Sequence, residues 1–270
     1  MYLKNFFPSL ADKRWMKITK EWTHDTDFDD LFQNSQDEKI ELNYSIVTNI
    51  LLTLFVYNDK FKREIYNNFE IQKYTIEGMK ADFEENDLLN LQINNIRELF
   101  TALTRYPVST MVPRLCKSGD IIVYRGFRKT YNLFFDKLQS MNRLEIGKYV
   151  TLPTFFSTSL LEDTAFRFTH QIIWKIIIPH KNRDKFKYTN LYHKDINLDK
   201  VNLEDSEVEF LLNIGTVLKC IDIQYNYQKT FSIPMFESDP VYCSKTVTLY
   251  VYEFQYHKKI DIDKFLKNTY

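Results

Sequence analysis

Long apolar runs, paired cysteines and an excess of one charge are all missing from this sequence of 270 residues. Its three cysteines, Cys116, Cys220 and Cys243, form an odd set without metal-ligand spacing, which argues against a disulfide framework and a zinc site. We therefore expect buried thiols. Lys and Arg balance Asp and Glu at 36 each, so no overall field favours nucleic acid or an anionic membrane.

The first 20 residues lack the uninterrupted apolar segment of a signal peptide, because Phe6 and Phe7 are soon followed by Asp12, Lys13 and Arg14. No stretch reaches the roughly 20 apolar residues that a membrane-spanning helix needs. We expect neither a signal peptide nor a membrane span. What the sequence does have is 44% hydrophobic residues, enough to form a globular core.

Helical periodicity dominates the first part of the chain. Apolar residues recur at steps of three and four between residues 44 and 57, and again between residues 85 and 105, where Pro107 ends the pattern. After Pro113, short β-branched runs and turn residues predict strands instead. The sequence thus predicts an α+β protein, with a helical N-terminal lobe over residues 1–113 and a mostly antiparallel sheet core over residues 114–270.

The predicted core contains six strands, one helix and one long loop. The strands cover residues 121–124, 154–157, 172–178, 207–212, 216–227 and 246–256, and the helix covers residues 131–138. The Asn-, Asp- and Lys-rich stretch of residues 181–205 predicts a surface loop, and loops of that length are more often functional than idle.

Glu207 and Glu209 form an acidic pair at the start of one predicted strand. Side chains alternate along a strand, so the two carboxylates would share one face, roughly 7 Å apart. Mutual repulsion would then make it costly to ionise both. The pair is either the centre of an active site or a strand end that frays into solvent, and other parts of the chain must distinguish these alternatives.

Three segments of the strand-rich half occur in a specific order: Arg125-Gly126, the Ser-Thr-Ser segment at residues 157–159, and Glu207-Val208-Glu209. Together they resemble the Arg, Ser-Thr-Ser and Glu-x-Glu motifs of the toxin-like mono-ADP-ribosyltransferases. The resemblance covers about residues 85–256. It implies a β-sandwich core of the ADP-ribosyltransferase type and NAD as co-substrate, and the chemistry needs no metal.

The resemblance also implies roles at an NAD site. Arg125 would bind the pyrophosphate through its guanidinium fork, and Gly126 would let the substrate approach the backbone closely. Ser157 would orient the catalytic glutamate, and Thr158 and Ser159 would belong to the same site. Without the other motifs, Arg125 would be a surface arginine paired with an acid, and Ser157 would lie on a solvated strand edge.

The resemblance assigns the catalytic roles to the acidic pair, Glu207 and Glu209. Cleavage of the nicotinamide–ribose bond builds an oxocarbenium-like cation, which a fixed carboxylate stabilises, and the resemblance assigns this carboxylate to Glu209. It assigns Glu207 to the acceptor. Glutamate rather than glutamine at this position indicates an arginine acceptor by analogy, and Glu207 would take up the proton that the guanidinium must lose.

Phe166 and Arg167 follow the Ser-Thr-Ser segment, in the place of the family's phosphate–nicotinamide loop. By resemblance, Phe166 would stack on nicotinamide and Arg167 would reach a phosphate. The alternative is an amphipathic helix with Phe166 in the core.

The prediction is thus an NAD-dependent protein-arginine mono-ADP-ribosyltransferase that acts in the cytoplasm, or in that of a host to which it is delivered. Its partner would be an arginine-bearing protein and not a nucleic acid. An NAD glycohydrolase on the same site and a catalytically silent interaction module are the alternatives.

Overall fold

Strands dominate the part of the chain that this computed structural model describes, namely residues 94, 96–97, 99–101, 103–104, 119–185, 188–190, 209–235 and 238–267. The strands are β1 (Ile121–Phe127), β2 (Tyr149–Thr151), β3 (Phe156–Ser159), β4 (Ile172–Ile178), β5 (Tyr188–Asn190), β6 (Glu209–Leu212), β7 (Thr216–Met235) and β8 (Ser238–His257). The helices are α1 (Asn132–Ser140), α2 (Glu162–Phe168) and α3 (Ile262–Lys267), with 3-10 turns at Lys129–Tyr131 and His180–Lys185. No helix within these ranges is long and apolar enough to cross a membrane.

The chain divides into two compact units, Tyr106–Lys259 and Met1–Arg105 with Ile260–Tyr270. In the second, the described residues between 94 and 104 are helical, and Ile96, Leu99 and Leu103 are buried at steps of three and four. This confirms the predicted helix for those residues. The helix predicted at 44–57 and the predicted boundary at residue 113 lie outside the described residues, so the helical lobe as a whole stays a prediction.

All eight strands belong to one sheet with the order β2-β7-β8-β4-β1-β3-β6-β5. Neighbours are antiparallel except β4 and β8, which run parallel. The described residues therefore form a mostly antiparallel, mixed sheet with few helices, and the sandwich arrangement stays a prediction.

An aromatic cluster fills the core beside the centre of this sheet. Phe127 at the end of β1 lies 4.8 Å from Phe135 of α1 and 5.2 Å from Trp174 of β4, measured between ring centroids. Phe156 of β3 lies 5.6 Å from the same tryptophan. Rings at such distances bury large apolar areas and prefer edge or tilted contacts, so the cluster fixes α1 and the three central strands relative to one another.

The long β7–β8 hairpin departs most from the sequence prediction. Its strands are 20 residues each, whereas the periodicity predicts strands only over residues 216–227 and 246–256. Exposed polar residues at 228, 230 and 244 interrupt the apolar pattern because one face of the distal hairpin points to solvent. Its other face carries Phe231, Val247 and Leu249, which pack against α2.

The predicted loop of residues 181–205 is also partly wrong. It contains the 3-10 turn and then β5, which pairs antiparallel with β6. A three-residue strand gives almost no local pattern, and its pairing with β6 is a tertiary effect. The short strand β2, which pairs with β7 over Val217–Lys219, escapes prediction for the same reason.

Candidate active site

Three neighbouring strands carry the predicted motifs. β3, with the Ser-Thr-Ser segment, lies between β1, which contains Arg125, and β6, which begins at Glu209. Tyr124 is opposite Ser159 in one pairing, and Ser159 is opposite Glu209 in the other. Arg125 and Glu209, which are more than 80 residues apart in the chain, thus lie on strands that flank the same strand, β3.

Arg125 crosses from β1 to the backbone of β3. Its side chain is only 8% exposed, and Nη1 donates a hydrogen bond of 2.5 Å to the main-chain oxygen of Ser157. Nη2 donates to the hydroxyl of Tyr131 at 2.5 Å. The guanidinium carbon also lies 4.7 Å from the ring centroid of Phe156 and 5.3 Å from that of Phe127, so stacking adds to the hydrogen bonds.

The hydroxyls of the Ser-Thr-Ser segment fix the strand itself. Thr158, which is buried, donates from Oγ1 to the main-chain oxygen of Phe210 in β6 at 2.7 Å. Ser159 is buried too, and its Oγ accepts the N–H of Leu161 at 2.9 Å, which closes the turn into α2. Ser157 is half-buried. Thr158 and Ser159 therefore hold β3 in register, and their predicted contact with NAD stays a prediction.

The acidic pair is described only in part. Glu209 starts β6, and its backbone pairs with that of Ser159. Glu207 lies outside the described residues. Its place on the same strand face as Glu209, and the catalytic roles of both residues, stay predictions.

Gly126 makes its close approach to helix α2. A Cβ built at this position would lie 1.9 Å from the main-chain oxygen of Ala165 and 2.9 Å from the main-chain nitrogen of Thr169. Only glycine permits such contact between two backbones. The glycine therefore permits the packing of α2 on β1, and the predicted approach of the substrate to its backbone stays a prediction.

Phe166 and Arg167 lie in α2, as the helical alternative predicts. The ring of Phe166 is fully buried, 5.6 Å from that of Phe231 and 6.1 Å from that of Tyr227. Stacking on nicotinamide would require this ring to leave the core. Arg167 donates from Nε to the main-chain oxygen of Ser232 at 3.1 Å, which ties the helix to β7.

An ion cluster ties the start of α2 to β7. Lys229 donates from Nζ to Glu162 and to Asp163 at 2.7 Å each, and the hydroxyl of Tyr227 donates to Glu162 at 2.9 Å. Burial alone would lower the pKa of Lys229, but its bonds to Asp163 and Glu162 raise it overall. Burial and the charge of Glu162 raise the pKa of Tyr124, on β1, to about 12.

Tyr131 is the residue near Arg125 that sequence reasoning missed. It ends the 3-10 turn after β1, whereas the sequence predicts it only as the first residue of a helix. No local pattern identifies it, because its contact with Arg125 depends on how the chain turns after the strand. Among the described residues no group of His, Cys, Asp and Glu is arranged to hold a metal ion.

Residues 62–236 match the family model described as ADP-ribosyltransferase exoenzyme. The chain belongs to this family. That confirms the family which the sequence resembles, on a match that spans well over half of the chain. No curated protein matches the sequence.

Several solved structures of bacterial proteins are similar to this chain. C2-I, the enzymatic component of the Clostridium botulinum C2-toxin, is 14% identical with a TM-score of 0.36, over 80% of this chain and 45% of C2-I. Plx2a, an ADP-ribosyltransferase toxin from Paenibacillus larvae, is 14% identical with a TM-score of 0.36, over 78% of this chain and 88% of Plx2a. A third structure is Exoenzyme S from Pseudomonas aeruginosa in complex with human 14-3-3 protein beta and bound to carba-NAD. It is 13% identical with a TM-score of 0.34, over 77% of this chain and 74% of the Exoenzyme S chain. The chain thus spans less than half the length of C2-I.

Proposed function

We propose that this chain transfers ADP-ribose from NAD to an arginine side chain of a target protein and releases nicotinamide. Membership of the ADP-ribosyltransferase exoenzyme family supports the transfer. The observation that carries the proposal is the meeting of Arg125, the Ser-Thr-Ser segment and Glu209 on three adjacent strands. A chance occurrence of three short motifs would not bring them together in this way.

In this proposal Arg125 binds the pyrophosphate of NAD. A guanidinium carries five N–H donors in a planar fork that matches phosphate oxygens. The contacts of Arg125 with Ser157 and Tyr131 set the direction of that fork, and burial among aromatic rings strengthens its field. Ser157, on the neighbouring strand, orients the catalytic carboxylate.

Glu209 stabilises the cation that develops on the ribose as the nicotinamide bond breaks. The electron pair of that bond leaves with nicotinamide and neutralises its ring. A guanidinium nitrogen of the acceptor then forms the new bond to the ribose carbon, while its proton passes to Glu207. The carboxylates act on two different species, which explains why the motif needs two of them.

The test uses NAD labelled in its adenylate half, agmatine as a small guanidinium acceptor, and a cell lysate as a source of protein acceptors. We expect label on agmatine and, by mass spectrometry, ADP-ribose on arginine residues of lysate proteins. Excess unlabelled ADP-ribose serves as the control for non-enzymatic attachment, which it would suppress.

Each other outcome contradicts a defined part of the proposal. Free ADP-ribose with no labelled acceptor would mean that water is the acceptor and the chain is an NAD glycohydrolase. Label on cysteine, asparagine or glutamine would contradict the arginine specificity. Absence of nicotinamide release would contradict the enzymatic function as a whole.

A further inference from the structure

The hydroxyl of Tyr131 is a second fixed contact for the guanidinium of Arg125. It accepts a hydrogen bond of 2.5 Å from Nη2, while Nη1 donates to the main-chain oxygen of Ser157. Each terminal nitrogen of the guanidinium is thus hydrogen-bonded to a different element, one to β3 and the other to the turn after β1. Together with the stacking on Phe156, two such hydrogen bonds hold the plane of the group more firmly than one of them would.

The tyrosine is itself held in place. It is buried, and its ring packs edge-on against Phe127 with centroids 5.4 Å apart. The guanidinium carbon of Arg125 lies 5.0 Å from the centroid of the Tyr131 ring. A hydroxyl on a packed ring loses little conformational freedom when it accepts a hydrogen bond. This contact therefore orients the arginine more strongly than a contact with a mobile surface group would.

We propose that Tyr131 is a positioning residue for NAD, whose hydroxyl fixes the plane of the Arg125 guanidinium and so sets the affinity of the site for a diphosphate. This rests on the proposed function, in which Arg125 binds the NAD pyrophosphate. Bidentate binding of phosphate depends on the orientation of the fork. In this proposal Tyr131 acts through Arg125 and not on the reacting atoms, so it governs how NAD binds rather than how the bond breaks.

The test is Tyr131→Phe, which removes the hydroxyl and keeps the packed ring. We expect KM for NAD in nicotinamide release to rise about tenfold, the typical effect of losing one hydrogen bond to a charged group, while kcat stays within about twofold. Each variant is assayed well below its own melting temperature. The matched control is Tyr242→Phe on β8. This tyrosine is 72% exposed, so its substitution should leave KM unchanged.

The outcomes separate the two proposals. If wild type releases nicotinamide and Tyr131→Phe has the KM of wild type, or loses kcat with KM unchanged, the positioning role is wrong and the proposed function survives. If wild type releases no nicotinamide under any condition in which it is folded, the proposed function fails and the positioning role fails with it.

Discussion

A side chain at Gly126 would place its Cβ 1.9 Å from the main-chain oxygen of Ala165, so helix α2 lies directly on the strand that carries Arg125. The obstacle is backbone, which cannot rotate away as a side-chain tip can. We therefore expect Gly126→Ala to lower the free energy of unfolding by about 2 kcal/mol or more, and to weaken NAD binding as α2 is displaced.

Urea unfolding measures this effect, and Gly119→Ala is the matched control. A Cβ at Gly119 meets nothing within 4 Å, so that variant should unfold like wild type. Equal stability of both variants would contradict the packing of α2 on β1.

Arg125→Lys tests the NAD-binding arginine. A lysine ammonium is a point charge that cannot reach Ser157, Tyr131 and a phosphate pair in one geometry. We expect the dissociation constant for NAD to rise about tenfold or more, as calorimetric titration measures it. Arg143→Lys, at an exposed position, is the control. Equal affinity of Arg125→Lys and wild type would remove Arg125 from the site.

Glu207→Gln tests the division of labour between the two acids. If Glu207 serves the acceptor, its loss should lower arginine modification by about 100-fold and leave nicotinamide release within a few-fold of wild type. A paired assay follows agmatine labelling beside nicotinamide release. Parallel loss of both activities would show that the carboxylates act as one unit.

Alkaline pH should destabilise the fold through the half-buried phenol of Tyr124. Burial, with the charge of Glu162 next in size, raises the pKa of Tyr124 from 10.0 to about 12 in the folded chain. The unfolded chain therefore releases this proton first as pH rises. The stability that neutral Tyr124 contributes is complete below about pH 10 and is lost as pH rises towards 12.

The comparison is Tyr124→Phe against Tyr242→Phe, whose tyrosine is 72% exposed. Melting temperatures between pH 9 and pH 11.5 should fall less steeply for Tyr124→Phe than for wild type, and Tyr242→Phe should follow wild type. Identical slopes for all three proteins would show that Tyr124 contributes nothing to alkaline unfolding.

Local patterns predict the central strands well. The β-branched runs at residues 121–124 and 172–178 correspond to β1 and β4, because a buried strand leaves a continuous apolar signal in the sequence. The placement of β3 between β1 and β6 has no such signal. Strand pairing is set by contacts between distant residues, and only the family resemblance indicated that the motifs meet.

Contacts between single residues of the site leave no signal in the local sequence. The sequence shows a glycine after Arg125, but the partner that requires it, Ala165, lies 39 positions later on another element. The sequence predicts Tyr131 as the start of a helix, and nothing in it indicates that the turn after β1 brings the tyrosine hydroxyl to Arg125. Both relationships depend on tertiary packing that overrides local propensity.

In the proposed reaction the carboxylate of Glu209 stabilises the ribose cation, and Glu209→Gln tests this role. The amide keeps the shape of the side chain and removes its charge, so nicotinamide release and arginine modification should both fall about 100-fold or more. Glu145→Gln, at an exposed position, removes an equal charge elsewhere and should retain full activity. Release of nicotinamide by Glu209→Gln at the wild-type rate, with an unchanged melting temperature, would show that Glu209 is not the catalytic carboxylate.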